Sequence, residues 1–571
     1  MGKISSRHLT HDAAAWAAGL RYADIPVRVV ALAKAQAASV FASAHAGART
    51  AESGRVLAAL RAHAPAGDAP VIATGERMHL DWALAANGAL GMAQDYDDYL
   101  FMGHTGHSAV WAAYLVGAAV GASGEEVVAA QVAANEIAGR LGAACVLGPQ
   151  NGQLWTHIHL AGAVVAAGKL YKLTAGQMAN ALGIAYAQPN YGLFPGFMGP
   201  GSKLLTSVTP LQTGLMAARY AQAGLTGDTS IWEDDQGFLR HFAYKPMTSM
   251  LSGYGSAWLT ETLAIKPYPG CAYIDTTIDC TLDLRRELAG DFDLARLDEV
   301  LVEASLLTME MNRLSNRHLD EARLTPVNIN FNIPINTAIA LLYGGLGAEH
   351  LTEGFLDAHR DEILAAARKV RLVHDWDATF EMLNDLDGSL GAALFFGGMT
   401  RSDLAYIRLR AKRDGHANLE PSRRELGDLV RALAGRNGGL VRKYLGGGLR
   451  SWIGGLRRGE NRGEGGGNRG EGAAPTGLSL AGVDFAKVRL PFRSRVTFKL
   501  SDGGERTTQR SIPRGAAAAG DLEAVAKTKL ETELGHRCAD CIPGAWDALQ
   551  KIETIGPQGV LAAMTPSTVR A

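Results

Sequence analysis

The chain has 571 residues, is 47% apolar, and balances 56 Lys and Arg against 57 Asp and Glu for a formal net charge of −1. That length accommodates roughly two to four ordinary domains, and the near-zero charge supplies no field for a polyanion, so no nucleic-acid partner is expected. The five cysteines are scattered, which excludes a dense disulfide framework and fits a reducing compartment.

The opening stretch, "MGKISSRHLTHDAAAWAAGLRYADIP", lacks the apolar centre of a signal peptide and carries Asp12 and Asp24, which a transit peptide avoids. The longest uncharged apolar run, Ser108–Gly124, is rich in Ala and Gly and falls short of the about 20 strongly apolar residues that cross a bilayer. It reads as a buried helix, and the expectation is a cytoplasmic protein with no membrane partner.

Up to about residue 260 the pattern is helix after helix. Ile25–Ala44 begins with a proline and keeps apolar residues at helical spacing. Ser123–Ala144 opens on a serine that caps and two glutamates that favour a helix start, and pairs Glu136 with Arg140 at i, i+4. "HLAGAVVAAGKLYKL" and "TAGQMANALGIAYAQ" continue in the same style, the latter capped by Thr174. After "IKPYPG" (Ile265–Gly270) short β-branched segments enter, Asp298–Thr308 and Lys369–Asp375, with helices between them. Strands mixed with helices mark an α+β unit. Residues 435–477 turn glycine-rich, and from Gly459 the composition is that of a flexible insertion rather than an RNA-binding segment, since its charges balance and no aromatic follows Trp452. "KVRLPFRSRVTFKLSDGGERTTQRSIPRG" reads as a hairpin turning at Asp502–Gly503–Gly504, and two helices close the chain.

Chemistry concentrates in a few places. "DYDDYLFMGHTGH" (Asp95–His107) packs three carboxylates and two imidazoles into one short stretch, which suits proton transfer, a divalent ion, or simple helix capping. Adjacent Asp97 and Asp98 diverge by about 100° on a helix, so they do not share one site there. "WTHIHLAG" carries His157 and His159. On a helix such an i, i+2 pair splits to opposite faces, and one of the two reaches a site. Gly196 and Gly201 have P-loop spacing, but the order Gly-Ser-Lys and the helical flank reject nucleotide binding. What is left is a loop that presents Lys203 either to an anion or to solvent. Lys266 lies in a stiff apolar turn where the texture changes, a position that is buried and paired or at a domain seam. Cys538 and Cys541 with His536 form a lone cysteine pair, weak grounds for zinc.

The order of these pieces resembles the MmgE/PrpD family, whose members include 2-methylcitrate dehydratases, cis-aconitate decarboxylases and iminodisuccinate epimerases. The match is carried by "NGALGMAQDYDD", "GHSAV", "GASGEEVVAA", "LTAGQMANALGIA", "GSK" followed by "TPLQTGLMAARYA", "IKPYPGC" and "EARLTP" with "NIPINTAIALLYGG", spanning roughly residues 20 to 400. The resemblance implies a mainly α protein: a large all-helical domain over residues 1–266, to which helices at about 520–571 return, and a smaller α+β lid over 267–520 that holds the glycine-rich insertion. It implies a homodimer without metal or organic cofactor. Its active site would lie between the domains and act on a small carboxylate substrate.

Carried over by motif, Asp95 takes the catalytic aspartate's place, with His104 or His107 as the loop histidine. His157 is taken as the second catalytic histidine and His159 as a substrate contact. Lys203 and Lys266 become substrate-binding lysines, and Tyr99 stands where decarboxylases have threonine. Three departures bear on the substrate: Met92 and Asp275 replace histidines, and Ile335 replaces a tyrosine. The function implied is a di- or tricarboxylate lyase working by dehydration or decarboxylation. An isomerase or epimerase of the same fold, or a non-catalytic small-anion-binding protein, is the alternative.

Overall fold

Alanine and glycine at helix contact faces let backbones approach closely, and the helical part of the chain is built on that. A computed structural model describes residues 7–101, 103–148, 156–288, 292–390, 401–413, 427–431, 479–537 and 542–566. The glycine-rich segment and the Cys538/Cys541 pair singled out above lie outside the described residues.

The predicted caps form. Ser123 Oγ accepts from Glu126 N while the Glu126 carboxylate accepts from Ser123 N, and Thr174 and Gln177 make the same reciprocal pair. The helices they start, Gly124–Ala144 and Ala175–Ala187, pack with Val27–Gly47, Leu80–Met92, Thr156–Leu170 and Leu205–Gln222 around one apolar core. Contact is close at Gly214, where a Cβ would lie 2.6 Å from Ala163 Cβ and 2.9 Å from Val164 N, so any larger side chain would push Leu205–Gln222 off Thr156–Leu170. Gly106–Val120 is a helix buried through Gly117 and exposed at its end, with a wider turn over Ala112–Val116. Val27–Gly47 is the one described helix long and apolar enough to cross a bilayer, and 83% of its apolar window is buried inside this core.

The C-terminal helix Leu522–Arg537 lies against Val27–Gly47, and Leu522, Ala526, Leu530 and Leu534 join the same core. Two further helices follow where one was expected, Ile542–Gln550 and Ile552–Met564, the latter kinked at Gly556, whose φ of 69° suits glycine.

A second core gathers the residues between Tyr268 and Val370 with Val496 and Phe498. Its four-stranded sheet runs in the order Val370–His374, Leu297–Ala304, Ser494–Leu500, Glu505–Arg510. The first pair is parallel and the other two are antiparallel. The crossover between the parallel strands carries the helices Leu306–Asn316, Ile333–Tyr343 and Glu353–Ala367. The last pair is the predicted hairpin, closed at Asp502–Gly504. The molecule is thus mainly α with a smaller α+β part.

One short antiparallel pair, Asp98–Leu100 with Leu263–Ile265, connects the acidic stretch to the segment that leads into the second core. Its register sets Asp98 opposite Ile265, so Lys266 N donates to Asp97 O at 3.1 Å.

The Glu136–Arg140 pair is completely buried and more than a surface i, i+4 bridge. Glu136 accepts from Leu259 N, Thr260 N and Thr260 Oγ1, and Arg140 donates to Ser252 O and Ala257 O. Two charges of one helix therefore pin the irregular segment 252–260 that precedes the site. Arg140→Met should cost about 3–5 kcal/mol, because it strands the buried Glu136 charge and two carbonyls. Urea denaturation at neutral pH measures this, and a loss below about 1 kcal/mol would contradict the role.

Candidate active site

Asp95 ends the turn after helix Leu80–Met92 with a φ of 53°. Aspartate tolerates this left-handed conformation better than most residues, though at some cost. The turn sends Asp95 and Asp97 towards Lys266 and leaves Asp98 pointing the other way. Lys266 Nζ lies 2.7 Å from Asp97 Oδ1, 2.7 Å from Asp95 O and 3.6 Å from Asp95 Oδ1. Lys203, from the tight turn Gly201–Leu204, sits 3.6 Å from Asp95 Oδ2. All four groups are buried.

Asp97 is the hub of the imidazoles. His104 Nδ1 meets its Oδ2 at 2.6 Å, and His107 Nε2 lies 3.1 Å from the same oxygen. Both loop histidines thus converge on one carboxylate, and that carboxylate belongs to Asp97, whereas the sequence singled out Asp95. Of the groups named, His104 is the most exposed, at 15% of its side chain. The described residues close over the rest.

His157 and His159 do part to opposite faces of their helix. His159 joins the cluster: its Nδ1 is 3.4 Å from Ser108 Oγ and its ring is 5.9 Å from that of His107. His157, taken from sequence as the catalytic one, packs its ring 5.7 Å from Phe238 and 5.6 Å from Phe242, and its carbonyl accepts from Tyr186. Tyr99 pairs with Ala264 in the short strands and rests its ring against Phe492. Among the departures, Met92 and Ile335 are buried, and Asp275 is buried with neither carboxylate oxygen hydrogen-bonded among the described residues.

The electrostatics follow from burial set against charge. Burial alone would raise Asp95, but Lys203 and Lys266 outweigh it and hold the carboxyl below its ordinary value. For Asp97, burial is outweighed by His104, Lys266 and His107, which hold it well below. Lys266 is raised, since its two carboxylates overcome desolvation. Lys203 is lowered, because burial exceeds the pull of Asp95. Burial pushes His157 down to about 3 and His159 well down, so both imidazoles are neutral. Asp275 goes well up through burial, which disfavours its charged form.

Lys203 is the anomaly. Sequence left it a loop lysine open to an anion or to solvent; it is fully buried. Its ammonium lies 4.8 Å and 4.5 Å from the ring centres of Phe197 and Phe331, with no hydrogen-bond acceptor among the described residues. A buried ammonium without acceptors is costly and is the group here best placed to take an incoming carboxylate. Asp95, Asp97 and His104 bring ligand atoms within 4.8 Å of one another, a spacing a metal ion fits. However, the Lys266 ammonium already sits against both carboxylates, and a divalent ion there would meet a like charge.

Sequence reasoning missed Lys529. It reaches from the C-terminal helix to the back of the acidic loop, where its Nζ lies 2.6 Å from Tyr96 O and 2.9 Å from Ser39 Oγ. Burial brings it down to about 7, with Asp97 opposing. The signal was present: Lys529 and Glu533 occupy the stripe of Leu522, Ala526, Leu530 and Leu534 at helical spacing, two charges on a face that should be apolar.

Residues 11–249 match the model of the MmgE/PrpD N-terminal domain and residues 268–383 that of the MmgE/PrpD C-terminal domain. A cis-aconitate decarboxylase of Aspergillus terreus (strain NIH 2624 / FGSC A1156) is 28% identical over 392 residues, covering 64% of this chain and 78% of that protein. Another from Aspergillus terreus is 27% identical over 390 residues, covering 63% and 77%.

Asp98 supplies a pH test of the loop's packing. Its Oδ2 accepts from Gln36 at 2.7 Å, and Gly106 is obligatory beside it, because a Cβ there would fall 1.9 Å from Asp98 Oδ1. Burial, then the charge of Asp97, pushes this carboxyl up to about 6. The folded state therefore keeps a proton that the unfolded chain releases from about pH 4, and this stabilisation, complete below that pH, is lost as pH rises through 6. Asp98→Asn keeps an acceptor for Gln36 and does not ionise. Relative to wild type it should gain roughly 2–3 kcal/mol between pH 4 and 7.5, read from denaturation midpoints at the two pH values. A pH-independent difference would contradict the assignment.

Proposed function

The chain belongs to the MmgE/PrpD family, and we propose that it is a cofactor-independent lyase acting on a small di- or tricarboxylate by dehydration or decarboxylation. The observation that carries this reading is Lys203: a buried ammonium beside Asp95 with aromatic walls and no hydrogen-bond acceptor of its own among the described residues. A substrate carboxylate takes that ammonium with a charge-assisted hydrogen bond. The cis-aconitate decarboxylases similar to this chain agree with a substrate of that class.

Proton transfer falls to the loop. Asp97 fixes the His104 ring through Nδ1, so the ring's other nitrogen is the one turned away from the carboxylate, poised as acid or base. In a dehydration a base takes the proton from the carbon beside a carboxylate, and an acid protonates the departing hydroxyl, which leaves as water. In a decarboxylation the C–C bond breaks, the carboxylate leaves as CO2, and the electron pair stays on the carbon that bore it. That carbon is then protonated by the acid. Both routes place negative charge next to Lys203 and Lys266, where fixed cations stabilise it at little reorganisation cost. Asp95, held between the two lysines, favours the charged form of each.

An epimerase, or an anion binder that does no chemistry, would use the same lysines. Asp275 favours such a shift: its carboxyl, buried and without a hydrogen-bond partner among the described residues, offers no cation to a further substrate carboxylate.

The test is turnover of cis-aconitate and a panel of hydroxy di- and tricarboxylates, followed by NMR of the products. Lys203→Met, which keeps the stem and loses the charge, should reduce kcat/KM at least about 100-fold, and His104→Asn should reduce kcat by about 100-fold or more. Binding without turnover of any member would overturn the lyase reading, and wild-type kinetics in Lys203→Met would overturn the carboxylate site.

A further inference from the structure

The loop that carries Asp95 and Asp97 is held from behind as well as in front. Lys529 reaches it from helix Leu522–Arg537, more than 400 residues along the chain. Its Nζ lies 2.6 Å from Tyr96 O, 2.9 Å from Ser39 Oγ, 3.4 Å from Asp97 O and 3.5 Å from Lys266 O. It also stands 3.8 Å above the Tyr96 ring. Ser39 in turn donates to Asp97 O at 3.1 Å. An ammonium has three N–H donors and no acceptor. Here they are spent on oxygens of the acidic loop, of Ser39 beneath it, and of Lys266.

These carbonyls belong to the peptide units that decide where the reacting side chains go. The Tyr96 carbonyl follows the left-handed turn at Asp95, and the Asp97 carbonyl accepts from Lys266 N. Fixing the planes of those peptides fixes the direction in which the Asp95 and Asp97 side chains leave the backbone. Helix Leu522–Arg537 could dock through its leucines alone. A desolvated lysine on that face costs stability unless it is fully hydrogen-bonded, and the bonds it makes are to the loop.

Resting on the reading of Asp95–His107 as the reacting loop, we infer that Lys529 is a positioning residue. It clamps the Tyr96, Asp97 and Lys266 carbonyls so that Asp97 holds His104 and Lys266 in register for proton transfer. It touches no substrate, so its loss acts on the chemical step and leaves binding through Lys203 in place. Neighbouring side chains of this kind tolerate misplacement poorly, since shifts of about 1 Å cost rate steeply.

The experiment compares the full-length wild type with Lys529→Met, Lys529→Gln and Leu530→Ala. The last loosens the same helix without touching the loop. Two readouts are taken: steady-state kinetics on whichever carboxylate of the panel wild type turns over, and amide hydrogen exchange. The expected result is a fall in kcat of at least about tenfold in Lys529→Met with KM within about twofold, and a smaller fall in Lys529→Gln, which keeps a neutral donor. Leu530→Ala lowers the melting temperature but keeps kcat. Exchange rises in both Lys529 variants at residues 96–100 and 263–266, and at Lys266 N above all, while Gly124–Ala144 keeps its protection.

The inference is overturned if kcat stays at the wild-type level, if kcat falls no further than in Leu530→Ala, or if exchange rises across the whole helix interface and not at the loop. Should wild type turn over no carboxylate at all, the lyase reading fails. The exchange pattern then decides the clamp by itself, in Lys529→Gln if Lys529→Met does not fold.

Discussion

The structure depends on one buried cation between two carboxylates. Lys266 is fully enclosed and touches Asp97, Asp95 and the backbone between them. Each of these groups would be prohibitively costly to bury singly. Together they also join the molecule's two parts, because the acidic loop ends a helix of the large core while Lys266 leads into the α+β part through the two short strands. A charge triad at such a seam keeps its field strong, since little water is present to screen it.

Around this triad, side chains from distant segments serve distinct purposes. Gln36, with Asn135 and Gln131 behind it, supports Asp98 from below. Lys529 holds the loop's backbone, and Lys203 stands across from Asp95 with no hydrogen-bond acceptor among the described residues. The contrast between the lysines is chemical. Lys266 and Lys529 have their donors occupied by the protein and act as parts of the scaffold, whereas Lys203 is poised for an anion. The pair His157 and His159 shows the same division on one helix, with one ring in an aromatic pocket and the other beside His107.

Local physics made much of this legible in the sequence. The caps at Ser123 and Thr174, the hairpin at Asp502–Gly504, and the change of texture after Ile265 each rest on neighbours along the chain, and the structure has all three. The i, i+2 rule separated His157 from His159, but which face meets the site depends on where Phe238 and Phe242 fold back, and spacing is blind to that. Lys203 reads from sequence as a loop lysine facing either an anion or solvent because its turn is glycine-rich, which gives no sign of its burial. The lid over it is Phe331, more than 100 residues away. Asp97 overtook Asp95 as the partner of His104 for a similar reason. The left-handed backbone at Asp95 turns its side chain towards the lysines, and no composition rule foretells that. Lys529 and Glu533 could have been noticed as charges on an apolar stripe; what they meet could not.

The central claim is that Lys203 is reserved for a substrate carboxylate, and a crystal structure with a bound, unreactive tricarboxylate analogue tests it most directly. The account predicts an analogue carboxylate about 2.8 Å from Lys203 Nζ, beside Asp95 and within reach of His104, with Lys266 still on Asp97. An analogue bound elsewhere, with Lys203 unmoved against Asp95 and the two phenylalanine rings, would contradict it.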